Sequence, residues 1–276
     1  MDAAKVYADQ IDAVSAQRAR LHEEGRQDDS WGGAMARRFR SDPHRQLGVN
    51  LETIASYVQP EDTVVDVGGG AGRVSLPLAL QCRVVINVDP SAGMKAEFEA
   101  SAMEAAITNA RFIQSDWMDA SELAGDLVIT SNVTYFVCDI VTFIRKMEAT
   151  AKRRVVITVW SVPPPNQSAA LFRLVYGEEQ EASPGHRQLL PVLWEMGILP
   201  DVRVLSASFL NGLPQTREAA VQEAALGRWL SPNHQDLATS TIQEHFGELY
   251  EETAEGYRPL WRPEVRELLL TWEPSK

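Results

Sequence analysis

The sequence is poor in cysteine, with only Cys82 and Cys138 among its 276 residues. Their wide separation matches neither a metal-binding nor a redox spacing, which argues against a disulfide-stapled fold and a cysteine-based zinc site. We expect no bound metal. This usage fits a reducing compartment, and the first five residues lack the apolar core of a signal peptide. We therefore expect a cytoplasmic protein.

Positive charge is also scarce. The chain has 26 Lys and Arg residues against 38 Asp and Glu residues, for a formal net charge of −12. A broadly basic surface for nucleic acid is therefore not expected, because neutralising phosphates requires clustered Lys and Arg. No apolar run approaches the roughly 18 residues that a membrane helix needs. The 45% hydrophobic and 23% charged content is ordinary for a globular chain.

Short apolar runs alternate with helical stretches through most of the chain. Strands are predicted at 63–67, 84–88, 111–114, 127–130, 154–160, 202–207 and 265–272. Helices are predicted at 5–24, 74–81, 91–106, 140–147, 167–176, 186–196, 216–230 and 234–250. Near-continuous apolar strands separated by helices indicate a parallel sheet that is covered on both faces. Right-handed crossovers make this a doubly wound α/β sheet.

A glycine-rich segment follows the first predicted strand. It reads Asp66-Val67-Gly68-Gly69-Gly70-Ala71-Gly72 and leads into a helix. Glycine permits positive φ and close approach of a ligand to the main chain. Open α/β sheets bind ligands at this carboxyl end of their strands. The segment is therefore the first candidate for a binding site.

Two classes of cofactor compete for this segment. The dinucleotide fingerprint G-x-G-x-x-G fails, because its third glycine falls on Arg73 when counted from Gly68 and on Ser75 when counted from Gly70. Asp66 would repel a pyrophosphate, whereas it suits a ligand that carries an ammonium group. A nicotinamide-dependent oxidoreductase stays the alternative from these residues.

With its D-x-G-x-G-x-G pattern and the acidic residues Asp89 and Asp116 after the second and third strands, the segment 62–160 resembles the class I S-adenosylmethionine-dependent methyltransferases. The resemblance implies methyl transfer from S-adenosyl-L-methionine, with S-adenosyl-L-homocysteine as product. It also implies a seven-stranded, mostly parallel sheet of order 3-2-1-4-5-7-6 with a helical cap. The last strand would run antiparallel between the fifth and sixth.

The resemblance places the cofactor residues along one edge of the sheet. Gly68, Gly70 and Gly72 would line the methionine half, with Asp66 supporting the loop and the amino group. Asp89 would receive the ribose hydroxyls, with Ser91 and Met94 flanking the adenine. Asp116 would accept the adenine amino group, with Trp117 packing on the purine face, and Asn132, Val133 and Tyr135 would face methionine and substrate.

Several of these positions have a structural alternative. The alternative for Asp116-Trp117 is a structural turn that is followed by a core tryptophan. Asn132 also fits ordinary turn chemistry. The sequence Asn132-Val133-Thr134-Tyr135 departs from the Asn-Pro-Pro-Tyr pattern found where the family methylates amide or base nitrogens, which argues against that chemistry.

We divide the chain into a helical cap (1–50), a cofactor-binding core (51–160) and a segment that completes the sheet and adds cap helices (161–276). The cap would form the acceptor pocket. The acidic charge favours a small-molecule acceptor. One alternative is a methyltransferase of the same fold that acts on a protein or another macromolecule. The other is a non-catalytic S-adenosylmethionine-binding protein. The oligomeric state is not specified.

The sequence identifies no catalytic base, although His186 is the histidine to test. Three other features have two interpretations each. The arginines at 37, 38, 40 and 45 form a solvated face or reach an anionic group of cofactor or substrate. Trp31 closes the cofactor pocket or is a buried anchor. Trp194, Trp229, Tyr257 and Trp261 pack in the core or shape an acceptor pocket.

Overall fold

The computed structural model describes residues 2–21, 31, 33–206, 212–226 and 230–275. The predictions for residues 22–24, Ala207, Trp229 and the neighbouring 227–228 lie outside these ranges. Within them, no helix is both long and apolar enough to cross a bilayer. Nor do three His, Cys, Asp or Glu side chains converge there as ligands for a cation.

The described residues contain nine strands, of which seven form one sheet. The strands are β1 (Thr63–Val67), β2 (Val84–Asp89), β3 (Ala110–Gln114), β4 (Gly125–Ser131), β5 (Ala151–Trp160), β6 (Asp201–Val204), β7 (Tyr250–Thr253), β8 (Gly256–Pro259) and β9 (Glu267–Trp272). The sheet order is β3-β2-β1-β4-β5-β9-β6, with β7 and β8 forming a separate hairpin. Strands β1 to β5 pair in parallel, and β9 pairs antiparallel with both β5 and β6. The predicted doubly wound sheet is confirmed, with β9 as its seventh strand.

The helices cover both faces of this sheet. They are α1 (Ala3–Leu21), α2 (Ala34–Arg38), α3 (Val49–Ala55), α4 (Ser75–Ala79), α5 (Ala92–Glu104), α6 (Ile140–Thr150), α7 (Ala169–Tyr176), α8 (His186–Glu195), α9 (Arg217–Ala225), α10 (Gln235–Glu244) and α11 (Phe246–Leu249). Buried side chains of α1, α6 and α8 pack on one face. Those of α3, α4 and α5 pack on the other. All five residues of β1 are accordingly buried, which explains why its apolar residues do not alternate with exposed polar ones.

Helix α6 shows how the sequence specifies this packing. Its apolar residues recur at three- and four-residue spacings, and Ile140, Phe143, Ile144 and Met147 are each at most 3% exposed. Burial of each such side chain contributes about 1.5–3 kcal/mol. The helix begins where Asp139 accepts a hydrogen bond from the Thr142 N–H, a cap typical of aspartate.

A third apolar cluster joins α7, α9, α10 and α11 to β7. Here the predicted helix 234–250 is divided at His245 into α10 and α11, and the β-hairpin that starts at Tyr250 was not predicted. The Tyr250 ring stacks on Phe246, and its hydroxyl donates to the Ala220 carbonyl. Gly256, with φ +121°, makes the tight turn between β7 and β8. These tertiary contacts override the helical period.

Candidate functional site

The strand order of the sheet reverses between β1 and β4. From β1 the chain proceeds to β2 and β3 on one side, and from β4 to β5 on the other. The loops at the carboxyl ends of β1 and β4 therefore diverge and leave a crevice between them, which is where open α/β sheets bind ligands. The predicted site residues follow β1, β2, β3 and β4, so the topology places them along this edge.

The glycine loop after β1 folds back tightly over the strand end. Gly68, Gly70 and Gly72 have φ of +67°, +53° and +82°, a region that other residues rarely adopt. At Gly69 the reason for glycine is steric instead. An added Cβ would lie 2.4 Å from Asp66 Oδ2 and 2.8 Å from Asn87 Oδ1. The loop backbone therefore lies directly on two buried polar side chains.

Those two side chains are incompletely satisfied. Asp66 is 1% exposed, and neither of its carboxylate oxygens has a hydrogen-bond partner among the described residues. Asn87 donates from Nδ2 to the Gly70 carbonyl at 3.0 Å, but its Oδ1 is likewise unmatched within the described ranges. Burial raises the pKa of Asp66 to about 6. A buried, unpaired carboxylate is costly, so this corner favours a cationic or hydrogen-bond-donating ligand group.

Asp89 connects the end of β2 to the glycine loop. Its Oδ2 accepts from the Gly70 N–H at 3.1 Å, and its Oδ1 accepts from the Ser91 N–H at 2.9 Å. Ser91 in turn caps α5 by accepting from the Met94 N–H at 3.0 Å. Met94 is 5% exposed and packs with Ala71 of the loop. The structure thus brings four predicted residues, Gly70, Asp89, Ser91 and Met94, together, and a carboxylate can accept further O–H donors.

The loop after β3 separates two residues that are adjacent in sequence. Asp116 is exposed, and its Oδ1 accepts from the Met118 N–H at 2.8 Å. The Trp117 ring is 5% exposed and lies in the core, edge-on to Phe143 and with Nε1 donating to the Phe143 carbonyl. The expectation that this ring packs on a purine does not fit its placement. The core alternative does, because burying an indole with its N–H paired is strongly favourable.

Asn132 begins the loop after β4 in a left-handed conformation, with φ +62°. Its Oδ1 accepts from the Tyr135 hydroxyl at 3.1 Å, and that hydroxyl oxygen accepts from the Trp160 N–H. Tyr135 is 1% exposed, and burial raises its pKa, so the phenol is neutral. Tyr135 therefore fixes Asn132 from inside the protein, and its ring does not face the crevice as expected. Val133 lies against the glycine loop at Gly68.

The N-terminal segments reach across this edge. The Tyr7 hydroxyl of α1 donates to the Thr134 carbonyl at 2.7 Å. The Trp31 ring lies 5.8 Å from Phe136, in the loop after β4, and packs in a cluster with Met94 and Ala71. Trp31 therefore lies between the loop after β4 and the cluster of Ala36, Ala71 and Met94.

The arginine cluster does not converge on the crevice. Arg37 and Arg40 lie 3.5 and 3.7 Å from the Glu97 carboxylate of α5, and Arg40 also pairs with Glu104. Arg45 donates to the Arg73 carbonyl at 2.7 Å. The pairs with Glu97 and Glu104 fit the solvated-face interpretation, and exposed ion pairs of this kind contribute little stability.

The described members of the predicted aromatic set lie in different surroundings. Tyr257 and Trp261 pack on the third apolar cluster, and Trp194 is 55% exposed.

His186 is the first residue of α8. This helix starts at the carboxyl edge of the sheet, because the strand that follows it, β6, runs parallel to β5. Its Nδ1 is buried without a partner from the described residues, and burial together with the Arg187 charge lowers its pKa. A neutral imidazole there is competent to accept a proton.

Two residues of the site escape prediction from motifs alone. Asn87 carried a usable signal, because a polar residue inside the apolar run 84–88 requires a partner. Gly69 carried none, because its importance depends on where the Asp66 and Asn87 side chains point.

Comparison with known proteins identifies the class. Residues 64–154 match the methyltransferase domain family. A 68-residue stretch is 40% identical to the 23S rRNA (uracil(1939)-C(5))-methyltransferase of Aeromonas salmonicida, covering 25% of this chain and 14% of that protein. The match thus spans about a seventh of that curated relative.

Solved structures share the fold. A methyltransferase from Bacillus halodurans superposes with a TM-score of 0.56 and 13% identity, covering 82% of this chain and 98% of that one. Magnesium protoporphyrin IX methyltransferase from Synechocystis PCC 6803, with bound S-adenosylhomocysteine, gives a TM-score of 0.50 at 15% identity over 98% and 99% of the two chains.

Fold, glycine loop and strand-end carboxylates define a Rossmann-like domain built for a nucleoside cofactor with an amino-acid end. Residues 64–154 of the chain form a methyltransferase domain by their match to this family, and the sheet order is that of the Rossmann-like methyltransferase fold. This match and the fold support S-adenosyl-L-methionine as the ligand of the crevice.

Proposed function

We propose that this protein is an S-adenosylmethionine-dependent methyltransferase that acts on a small-molecule acceptor, in a site that is covered by its N-terminal helices. The supporting observation is the position of Trp31 between Phe136, in the loop after β4, and the cluster of Ala36, Ala71 and Met94. A covered crevice admits a small molecule more readily than a folded macromolecule. Residues 1–50 and 161–276 form the cap in this proposal, and residues 51–160 form the cofactor-binding core.

The cofactor-binding residues are assigned by fit. Gly68, Gly70 and Gly72 provide a main-chain surface for the methionine end, and the unmatched oxygens of Asp66 beneath them suit its cationic amino group. A pyrophosphate would instead meet a like charge, which argues against the dinucleotide alternative.

The remaining assignments follow the strand ends. Asp89 receives the ribose hydroxyls, Ser91 and Met94 border the adenine, and Asp116 accepts the adenine amino group. Asn132 faces the methionine end and the acceptor. Trp117 is left out of this set because its ring is in the core.

The bound cofactor supplies a methyl group on a sulfonium, whose departure leaves a neutral thioether. The chain must therefore hold the acceptor atom in line with that methyl group and keep water out, and such positioning accounts for a large rate gain. A base is required only for an acceptor that loses a proton on transfer. His186, neutral and at the carboxyl edge, is the residue we assign to that role.

Charge argues against a nucleic-acid acceptor. The chain has a formal charge of −12, and Arg37 and Arg40 of the N-terminal segment are already paired with Glu97 and Glu104. A phosphate backbone requires unpaired basic side chains in a continuous patch.

Transfer of a labelled methyl group tests the proposal. The protein is incubated with methyl-tritiated S-adenosylmethionine and cell extract, and the label is then measured in low-mass, protein and nucleic-acid fractions. We expect the label in a low-mass product that is separated from unreacted S-adenosylmethionine, with loss of transfer in Asp89→Ala and no loss in Glu99→Ala, an exposed carboxylate on α5. Label in protein or RNA would contradict a small acceptor. Cofactor binding with no transfer in any fraction would support the non-catalytic alternative.

A further inference from the structure

Lys146, in the second half of α6, makes an unusually complete set of hydrogen bonds. Its ammonium group donates to the Trp117 carbonyl at 2.6 Å, to the Met118 carbonyl at 2.9 Å and to the Ala120 carbonyl. It also lies 4.9 Å from the centroid of the Trp117 ring. A lysine ammonium has three donors, so all three are used on one short stretch of backbone.

These carbonyls belong to a turn that begins at Asp116. The N–H groups of Asp119 and Ala120 donate to the Asp116 carbonyl at 3.2 and 3.0 Å. At the start of the turn, Asp116 Oδ1 accepts from the Met118 N–H. A carboxylate therefore caps the beginning of the turn and an ammonium group caps its end, as in a short helix with both termini paired.

This arrangement leaves one carboxylate oxygen available. Asp116 is exposed, and no described residue donates a hydrogen bond to its Oδ2. With Oδ1 tied to its own turn, the direction of Oδ2 is set by the turn as a whole. Lys146 holds this turn against α6. Among the described residues, no other charged side chain donates a hydrogen bond to the carbonyls of the turn.

We propose that Lys146 is a positioning residue for the cofactor, holding the turn 116–120 so that Asp116 Oδ2 meets the exocyclic amino group of the adenine. The inference rests on the proposed role of Asp116 and deepens it. Lys146 acts through the backbone and does not touch the cofactor. A purely structural lysine would instead stabilise the fold without affecting which base is bound.

The test compares two ligands by calorimetry: S-adenosylhomocysteine and its analogue with hydrogen in place of the 6-amino group. The wild-type chain should prefer the amino form by roughly ten- to a hundred-fold, the range for one hydrogen bond to a charged group. In Lys146→Met the preference should fall to within about two-fold, mainly through weaker binding of the amino form. Lys146→Arg, which keeps a cationic donor, should retain part of it.

Lys152→Met, at an exposed lysine of β5, is the matched control and should leave the preference unchanged. If Lys146→Met does not fold, Lys146→Gln and Lys146→Arg provide the same comparison. An unchanged preference in folded Lys146 variants, or an equal loss for both ligands, would overturn this assignment alone. Absence of S-adenosylhomocysteine binding by the wild-type chain would overturn the proposed cofactor site and this assignment with it.

Discussion

At the residue scale, the most informative group is Asp66. Its carboxylate is buried beneath the glycine loop, close enough to Gly69 that no side chain fits between them. Desolvation is the main cause of its raised pKa; the nearby Ser75 hydroxyl opposes the rise, the Asp89 charge adds to it, and the Arg73 charge opposes it. The site therefore stores an unfavourable charge that a cationic ligand relieves.

This gives a pH prediction for the protein without cofactor. The folded pKa is about 6, against about 3.9 for an unfolded aspartate. Between these values the folded state binds more protons, so Asp66 makes the free energy of unfolding fall as pH rises, by up to about 3 kcal/mol. Denaturation of wild type and Asp66→Asn from pH 4 to 7 should show the wild type losing stability relative to the variant, with the difference level above about pH 6. A pH-independent difference would contradict the raised pKa.

At the element scale, the glycine loop packs so closely on β1 and β2 that it leaves no room for a side chain at Gly69. Gly69→Ala places a methyl group 2.4 Å from Asp66 Oδ2, with the backbone unable to move away without displacing Asn87. We expect a loss of about 1–3 kcal/mol in stability, as for other overpacked sites, and a marked loss of cofactor affinity. Gly48→Ala is the control, because nothing lies within 4 Å of its added Cβ and its φ is −76°.

Chemical denaturation and calorimetry on both variants provide the check. If Gly69→Ala matched the wild type in stability and affinity, the close packing of loop on carboxylate would be wrong.

The sheet was predictable because its signals are local. Each inner strand is an apolar run that follows a helical stretch, and the doubly wound order follows from crossover handedness. The β7–β8 hairpin was not predictable from the sequence. The apolar residues before it continue a helical period up to Tyr250, namely Leu237, Ile242, Phe246 and Leu249. What ends the helix is a stacking contact and a hydrogen bond to Ala220, which is 30 residues away along the chain.

The position of a site residue could be predicted from the sequence only where contacts within the neighbouring stretch of chain fix its side chain. Asp89, Ser91 and Met94 lie where the motif implies because they cap the same helix and loop. The Trp117 ring points into the core although the adjacent Asp116 is exposed, and Tyr135 fixes Asn132 from inside the protein. Side-chain direction in a loop depends on neighbours from other elements, such as Phe143 and Trp160, which no local pattern encodes.

At the scale of the whole molecule, the N-terminal segment connects the two sides of the sheet edge. Tyr7 anchors α1 to the loop after β4, and Trp31 bridges Phe136 to the cluster of Met94 and Ala71. In the proposed site, closure of the crevice would therefore depend on chain that is far in sequence from the cofactor motif.

Trp31→Ala should accordingly speed cofactor release. Loss of the aromatic contacts should weaken binding by about 1–2 kcal/mol, or roughly five- to thirty-fold, mostly in the dissociation rate. Stopped-flow fluorescence with S-adenosylhomocysteine measures this rate. Trp194→Ala, at a 55% exposed tryptophan, is the control and should leave the rate unchanged. An equal effect from both variants would show that Trp31 does not close the site.

The central claim is that the corner formed by the glycine loop over Asp66 receives the amino-acid end of the cofactor. A crystal structure with S-adenosylhomocysteine tests it most directly. We predict density for the homocysteine amino group against that corner, with the ribose hydroxyls on Asp89 and the adenine beside Asp116. An empty corner in crystals with the ligand bound elsewhere, or a dinucleotide pyrophosphate bound there in its place, would contradict it.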